Sequence, residues 1–185
     1  MMVPSGSCAG MLRHHLPHLF DDDPALKARA EEVADRTYEV VSFLTDVLHA
    51  ALPTVAYDGV ATYHGSCSGL RELGIKAQPR AMLADVEGLS LVEMTEAELC
   101  CGFGGMFCVK YLEISTRMVS DRTADVAKTG ADTLLAGDLG CLLNMAGRLT
   151  RQSSAVRVRH VAEMLAGMTG DVPPIGHGTD DSRPR

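Results

Sequence analysis

The stretch TGADTLLAGDLGCLLNMAGRL (residues 129–149) contains a predicted β-strand, a turn and an α-helix in direct succession. Residues 131–137 form a short apolar run that is typical of a buried strand, and residues 142–149 read as a helix. Gly130 stands where the C-terminal cap of a preceding helix belongs. Cys141 lies between strand and helix. The stretch therefore predicts a βα unit with a thiol just beyond the carboxyl end of its strand.

The same alternation extends in both directions from this unit. Strands are predicted at residues 60–64, 89–94, 131–137 and 155–159, and helices at 68–86 (with a break near Gln78-Pro79), 109–128, 142–149 and 160–168. Each connection is long enough to hold a helix, which parallel pairing of the strands requires. The sequence therefore predicts an α/β fold, a parallel sheet covered by helices with Rossmann-like βα repeats and cysteines at the C-terminal ends of the strands.

The two ends of the chain depart from this alternation. Asp23-Pro24 is a strong helix start, and apolar spacing predicts one helix over residues 24–52, followed by a turn at 57–59. Met1–Val3 resembles the end of a strand whose beginning is missing, which hints that the chain starts inside a larger fold. Residues 170–185 are polar and rich in Pro and Gly, and are predicted to be disordered.

Composition limits the class of function. The net charge of -7 argues against a nucleic-acid or anionic-membrane binder. No run of about 18 apolar residues occurs, so no transmembrane segment is expected, and the N-terminus lacks the pattern of a signal peptide. We therefore expect a cytoplasmic protein with reduced thiols, in which grouped cysteines are more often metal ligands or redox groups than disulfides.

Four of the six cysteines follow the ends of three predicted strands. Cys67 follows the first strand, Cys100 and Cys101 the second, and Cys141 the third. Ligands of open parallel sheets gather beyond the carboxyl ends of the strands, so we expect these thiols at one edge. Four thiolates suit zinc or an iron–sulfur cluster, although the compact knuckles of a zinc ribbon are absent. Buried structural cysteines and a vicinal disulfide remain open alternatives.

A glycine-rich loop follows the adjacent pair in LCCGFGGMFC (residues 99–108). Neighbouring side chains of an extended strand point to opposite sides, so both cysteines can face one group only if the backbone bends. Gly102, Gly104 and Gly105 permit that bend and bring backbone N–H groups close to an anionic cluster. The loop is not a dinucleotide fingerprint, because Phe107 stands where G-x-G-x-x-G requires its last glycine.

These motifs resemble those of the cysteine-rich CCG-domain family, which includes the B subunit of heterodisulfide reductase and the iron–sulfur subunit of glycolate oxidase. Within that family the sequence is most similar to the lactate-utilization proteins, over nearly all of residues 4–165. The matching stretches are PSGSC (4–8), ATYHGSC (61–67), GIKAQPR (74–80), LVEM (91–94), CCGFGGMFCVKY (100–111), EIS (113–115), TGADTLLAGDLGCLLNMAGRL (129–149) and RVRHVAEML (157–165).

Members of this family carry two repeats, each with a lone Cys, a CCG and a terminal C-x-x-C. The resemblance implies that residues 1–56 are a remnant of the first repeat with a long connecting helix, residues 57–168 a complete second repeat, and residues 169–185 a tail. Cys8 matches the last cysteine of the first repeat, whose other motifs are absent, so an N-terminal truncation is expected. Asp138 stands where the first cysteine of the second C-x-x-C would be.

The resemblance further implies an iron–sulfur cluster. Its ligands would be Cys67, Cys100, Cys101 and Cys141, with Cys8 and Asp138 as further candidates, and Gly102, Gly104, Gly105 and His64 would line it. Because Asp138 replaces a cysteine, four thiolates remain, which favours a 4Fe-4S cluster over a five-cysteine noncubane form. Asp138 is expected to bond the backbone rather than iron.

The implied function is electron transfer in a system that oxidises L-lactate to pyruvate, with two other lactate-utilization iron–sulfur proteins (B and C types) as partners. The electron acceptor is not implied. No paired acid and base for the substrate is visible, so we expect a component of an oxidoreductase rather than a self-sufficient enzyme. Alternatives are a cluster-free docking module of the same complex, a heterodisulfide- or glycolate-type subunit, and a thiol–disulfide oxidoreductase.

Three further positions carry separate expectations. His64 either donates a hydrogen bond to a cluster thiolate or is an ordinary histidine at the end of a strand. Cys108 is expected to face the core. His160 and Glu163 are expected to make local hydrogen bonds, because H-x-x-E is not the zinc motif H-E-x-x-H.

Overall fold

A computed structural model describes residues 1–176 of the chain. The strands are β1 (Met2–Val3), β2 (Tyr38–Glu39), β3 (Ala56–His64), β4 (Glu87–Leu91), β5 (Thr133–Ala136) and β6 (Arg157–His160). The last four form one sheet in the order β4-β3-β5-β6, with every pair parallel, and β1 pairs in parallel with β2. The predicted fold class is confirmed.

Helices connect these strands. They are α1 (Gly6–Gly10), α2 (Pro24–Asp35), α3 (Val40–Ser42), α4 (Cys67–Arg71), α5 (Ala77–Ala84), α6 (Phe107–Lys110), α7 (Leu112–Lys128), α8 (Leu139–Arg151) and α9 (Val161–Leu165). Irregular helical turns extend the chain after α1 (Met11–His15 and Pro17–Phe20) and after α3 (Phe43–Val47). Among the helices of the described residues, none combines the length and the apolar character that a membrane crossing requires.

The sheet is buried on both faces. Alternate residues of β5 point to opposite sides, so Leu134 and Ala136 pack with α7 and α8, whereas Leu135 packs with α5 and α9. Both leucines are completely buried, which contributes about 1.5–3 kcal/mol each relative to exposure. This double burial explains why the strand reads as a continuous apolar run rather than as an alternating one.

The strand order creates a crevice between β3 and β5. From β3 the chain moves to β4 on one side and then crosses to β5 on the other side of β3. The two strands end level, because His64 pairs with Ala136. In open α/β sheets, ligands bind beyond the carboxyl ends of the strands at such a topological switch point. The fold therefore predicts a ligand site at the segments that follow β3 and β5.

The single helix predicted over residues 24–52 is wrong: it is interrupted at residues 36–39, and the helical turns that resume at Val40 end at Val47. Asp23 accepts hydrogen bonds from the N–H groups of Ala25 and Leu26 as expected, but α2 ends at Asp35. Residues 38–39 then become strand β2, because their backbone pairs with Met2 and Val3 of β1. A partner more than thirty residues away thus overrides a helical pattern of apolar residues.

Two other boundaries also differ from the predictions. Tyr57 and Gly59, predicted as a turn, belong to β3, where the register with β4 shifts between Ala56 and Gly59. The helical break lies at Gly74, which has a φ of +67°, and not at Pro79. Pro79 lies in the first turn of α5, where helical N–H groups lack an intrahelical acceptor, so proline is tolerated there.

Both ends of the described chain contact the sheet domain. The predicted strand end at Met1–Val3 exists as β1, and Gly130 has the positive φ of +69° expected of a helix C-cap. Of the predicted tail, residues 177–185 lie outside the described residues. Within residues 170–176, the N–H of Ile175 donates to the carbonyl of Val158 at 2.8 Å, and the Ile175 side chain packs against the core.

Candidate functional site

Four thiols meet at the crevice between β3 and β5. The side chain of Cys100 interacts with those of Cys67 and Cys101, and Cys101 interacts in turn with Cys141. A ring nitrogen of His64 lies within 4.8 Å of the sulfur atoms of Cys101 and Cys141. The structure thus brings together the four cysteines that follow three separate strands, as the sequence predicts.

Two of these cysteines lie in the first turn of the helices that follow the central strands. Cys67 is the first residue of α4, and the Ser66 hydroxyl caps that helix by accepting the N–H of Gly69 at 3.1 Å. Cys141 lies in the first turn of α8, where the Asp138 carboxylate accepts the N–H groups of Gly140 and Cys141. The caps fix where each helix begins, and hence where its thiol lies relative to the strand end.

The adjacent pair is carried by a sharply bent loop. Gly102, Gly104 and Gly105 have φ values of +79°, +52° and +58°, the region in which glycine is favoured. The N–H of Gly102 approaches the Cys100 sulfur at 3.4 Å. The predicted bend is confirmed, and it returns the chain so that both sulfur atoms of the pair join the group.

Two helices hold this loop in place. The Ser115 hydroxyl of α7 donates to the carbonyl of Gly102 at 2.7 Å, and the Asn144 amide of α8 donates to the carbonyl of Cys101 at 2.9 Å. The loop is thus tied to both helices on one face of the sheet.

The thiols have very different acidities. Hydrogen bonding to the thiols of Cys101 and Cys67, assisted by the N–H of Gly102, lowers the pKa of Cys100. The same contacts, together with burial, raise the pKa of Cys67 and of Cys101. Of these three thiols, Cys100 is the one whose contacts favour the thiolate.

His64 is buried at the end of β3 beside a buried arginine that sequence analysis missed. The Nε of Arg122 donates to Nδ1 of His64 at 3.0 Å, and burial together with that cation lowers the pKa of His64 to about 3. Nε2 of His64 is buried without a hydrogen-bond partner among the described residues. The imidazole is thus neutral: Nδ1 accepts a hydrogen bond, and Nε2 has no partner within the described residues.

Arg122 is itself fully buried. Its Nη2 donates to the carbonyl of Ala97 at 2.9 Å, Nη1 donates to the carbonyl of Glu96, and the Asp125 carboxylate lies 3.7 Å away. A signal for Arg122 existed in the sequence, because it continues the spacing of buried Val119 and Val126 along α7. An arginine at a buried position of a helix requires a partner. The sequence does not show that the partner is His64, because the two residues are 58 positions apart.

Asp138 joins the N-terminal segment to the site. Besides capping α8, its Oδ2 accepts the N–H of Ser7 at 2.8 Å, and the N–H of Gly6 donates to the carbonyl of Gly137 at 3.2 Å. Burial alone would raise the pKa of Asp138, but hydrogen bonds from Ser7 and Ser5 lower it. Both carboxylate oxygens accept hydrogen bonds, which agrees with the expected bonding to the backbone.

The remaining candidates lie outside the group of thiols. Cys8 is exposed on α1, and its side chain takes no part in the contacts among the four thiols. Cys108, expected in the core, is half-buried, and its thiol donates to the carbonyl of Gly105 at 3.1 Å. Glu163 pairs locally with Arg159, and His160 caps α9 by accepting the N–H of Ala162, as expected. Nε2 of His160 also lies 2.9 Å from the carbonyl oxygen of Pro4, a distant contact that the expectation of local bonds missed.

The donors of this site fit an anionic, thiolate-ligated group. Four sulfur atoms converge, a buried nitrogen of His64 has no hydrogen-bond partner within residues 1–176, and the buried guanidinium of Arg122 contacts the same ring. Such a set suits a soft metal ion or an iron–sulfur cluster, because thiolates are soft ligands and the surrounding donors and cation offset their negative charge.

Comparisons with known proteins agree with the motifs at this site. Residues 61–146 match the CCG cysteine-rich domain. The chain is 47% identical over 165 residues to "Lactate utilization protein A" of Bacillus cytotoxicus, covering 89% of this chain and 69% of the relative. It is 46% identical over the same length and coverage to proteins of that name in Bacillus cereus and to "Lactate utilization protein A 2" of Bacillus mycoides. The chain therefore belongs to the lactate utilization protein A family, and it carries a cysteine-rich CCG domain.

Proposed function

We propose that this chain is an iron–sulfur electron-transfer protein of a system that oxidises L-lactate to pyruvate. The convergence of four thiols at the topological switch point is the observation that carries the electron-transfer part. The lactate part comes from the names of the relatives. When bound, a cluster of this class accepts and releases electrons one at a time.

The proposed ligands are Cys67, Cys100, Cys101 and Cys141. They come from three separate segments, so a bound cluster would tie α4, the glycine loop and α8 together. The N–H of Gly102 and the buried guanidinium of Arg122 stabilise negative charge in this space. The chain's own contribution is thus to hold thiolates and to compensate their charge.

Asp138 is proposed as a structural cap rather than a ligand. Its oxygens already accept three backbone N–H groups, those of Ser7, Gly140 and Cys141. Carboxylate oxygen is also a harder donor than sulfur and suits iron–sulfur clusters less well. Four thiolates without a fifth ligand favour a 4Fe-4S cluster.

Lactate loses hydrogen as well as electrons, so other proteins must act on the substrate. We propose the B- and C-type lactate-utilization proteins as partners. Exposed apolar side chains occur on the glycine loop, α6, α7 and α8, the segments that carry or follow the cysteines: Met106, Val109, Leu112, Leu139 and Leu143. Exposed apolar side chains are common at docking surfaces, and a partner bound near the thiols would keep an electron path short.

The decisive experiment is anaerobic purification of the full chain with assay of iron and acid-labile sulfide. We expect both in the wild type. Cys100→Ser should lose the iron, whereas Cys108→Ser, the matched control, should retain it because that thiol bonds a loop carbonyl. Zinc without sulfide, or iron unchanged in Cys100→Ser, would contradict the assignment.

Thiol–disulfide exchange is the second candidate function. The lowered pKa of Cys100 beside a neighbouring thiol favours it, since the thiolate is the attacking species in such exchange. This function predicts reversible oxidation of the metal-free wild type, and loss of that oxidation in Cys101→Ser. Protein that contains iron and sulfide and shows no disulfide after oxidation would exclude it.

A further inference from the structure

The contact between Arg122 and His64 determines which nitrogen of the imidazole carries the proton. A guanidinium has donors only and no acceptor. Because Nε of Arg122 lies 3.0 Å from Nδ1 of His64, that ring nitrogen must be the acceptor. A neutral imidazole protonated on one nitrogen then carries its hydrogen on Nε2. The ring is therefore not the doubly protonated cation, because Nδ1 uses its lone pair to accept the hydrogen bond from Arg122.

The Nε2–H group has no acceptor in the described part of the chain. The atom is fully buried, and leaving a buried donor unpaired is unfavourable. The His64 ring lies beside the sulfur atoms of Cys101 and Cys141. A donor held in this way needs an acceptor at the thiol group, and the sulfur atoms of a bound cluster or of its thiolates are acceptors of that kind.

We propose that Arg122 is a positioning residue that holds His64 as the Nε2–H tautomer, so that this N–H donates to sulfur of the cluster. The proposal rests on the proposed function. A hydrogen bond to sulfur stabilises the more negative, reduced state more than the oxidised state. It therefore raises the reduction potential of the cluster.

Arg122 is well suited to this role because its position is fixed from several sides. Its two Nη atoms donate to the carbonyls of Glu96 and Ala97, and Asp125 balances its charge. The side chain is therefore not free to turn away from Nδ1. Removing it takes one donor from each of these carbonyls, although that of Glu96 still accepts the N–H of Leu99, so an Arg122 variant tests stability together with the tautomer.

The first test needs no cluster. Long-range nitrogen–proton NMR of ¹⁵N-histidine-labelled, reduced apoprotein distinguishes the two tautomers. We expect His64 of the wild type to show protonated Nε2 and unprotonated Nδ1, and Arg117→Met, an exposed arginine of the same helix, to show the same. Arg122→Met should lose this pure tautomer. A wild-type His64 protonated on Nδ1 would overturn the proposal whether or not iron binds.

The second test measures the reduction potential of protein reconstituted with ferrous iron and sulfide. His64→Leu removes the donor and should shift the potential to more negative values, whereas His64→Gln keeps an N–H donor and should restore it toward the wild type. A purely structural role of His64 would move both variants alike. Equal potentials in wild type and His64→Leu at full iron content would refute the hydrogen bond to sulfur.

These readouts separate the two proposals. If the wild type takes up no iron and sulfide, the proposed function fails, and the tautomer result still stands as a test of the Arg122 contact. If iron and sulfide are present but His64 shows the wrong tautomer, the proposed function survives and the inference fails. Neither the wild-type spectrum nor the His64 pair depends on the folding of Arg122→Met.

Discussion

Replacing Gly102 with alanine should damage the cysteine loop far more than the same replacement at Gly105. Both glycines have positive φ, +79° and +58°, so alanine at either position pays for a left-handed backbone. A Cβ at Gly102 would lie 2.9 Å from the Ser115 carbonyl oxygen and 2.9 Å from Cβ of Met118. A Cβ at Gly105 would meet nothing within 4 Å.

The difference between the two variants can be estimated from these contacts. The left-handed conformation costs a residue with a Cβ about 1–2 kcal/mol at either site. Only Gly102→Ala adds overpacking against backbone, which costs about 1–3 kcal/mol in a well-packed region. We therefore expect Gly102→Ala to lose about 2–5 kcal/mol of unfolding free energy and Gly105→Ala about 1–2 kcal/mol.

Thermal and urea unfolding of the two reduced apoproteins measures this difference. At about 2–4 °C per kcal/mol for a chain of this size, Gly102→Ala should lower Tm by roughly 4–20 °C, and Gly105→Ala by roughly 2–8 °C. Iron content after reconstitution should fall in Gly102→Ala, because the loop can relax only by moving the adjacent cysteines. Equal stability of the two variants would refute the argument from the Cβ contacts.

Two further predictions concern carboxylates. Asp138→Ala removes the cap of α8 (about 1 kcal/mol) and leaves the N–H of Ser7 without its partner (about 1–3 kcal/mol), so urea unfolding should show a loss of about 2–4 kcal/mol. Asp23→Ala, at an exposed cap, should lose only about 1 kcal/mol, and equal losses would contradict the role of the Ser7 contact. Burial alone would raise the pKa of Asp132, but its hydrogen bonds, including that from Arg157, lower it. Its stabilisation is therefore present above the unfolded pKa of about 3.9 and is lost as pH falls through the folded pKa. Asp132→Asn should be less stable than the wild type at pH 7, and a stability difference that grows on acidification would be the contrary result.

Most of the sheet could be predicted from the sequence because its strands are marked by local patterns. Apolar runs bounded by turn residues predicted all four strands of the main sheet, and the length of the connections predicted their parallel pairing. The convergence of the thiols followed from one rule, since three of the four predicted strands are followed by cysteine and parallel strands end at the same edge. The role of these thiols as ligands remains a proposal.

Errors arose where a distant partner decided the local structure. Residues 36–39 carry a helical pattern of apolar neighbours, yet they leave the helix because β1 offers hydrogen bonds to their backbone. The turn predicted at residues 57–59 is strand for the same reason, since β4 pairs with it. Local propensity is a weak preference that a few long-range hydrogen bonds outweigh.

The sequence by itself determined the order of strands and helices from β3 to α9, the bend at the glycines and the placement of a cysteine after each of three strands, because these depend on residues close together in the chain. Only the tertiary structure decided the partners across the site. Arg122 meets His64 across 58 positions, and Ser7 meets Asp138 across 131. No periodicity links such pairs. They meet because the packing of α7 against the sheet and of the N-terminal segment against α8 brings them together.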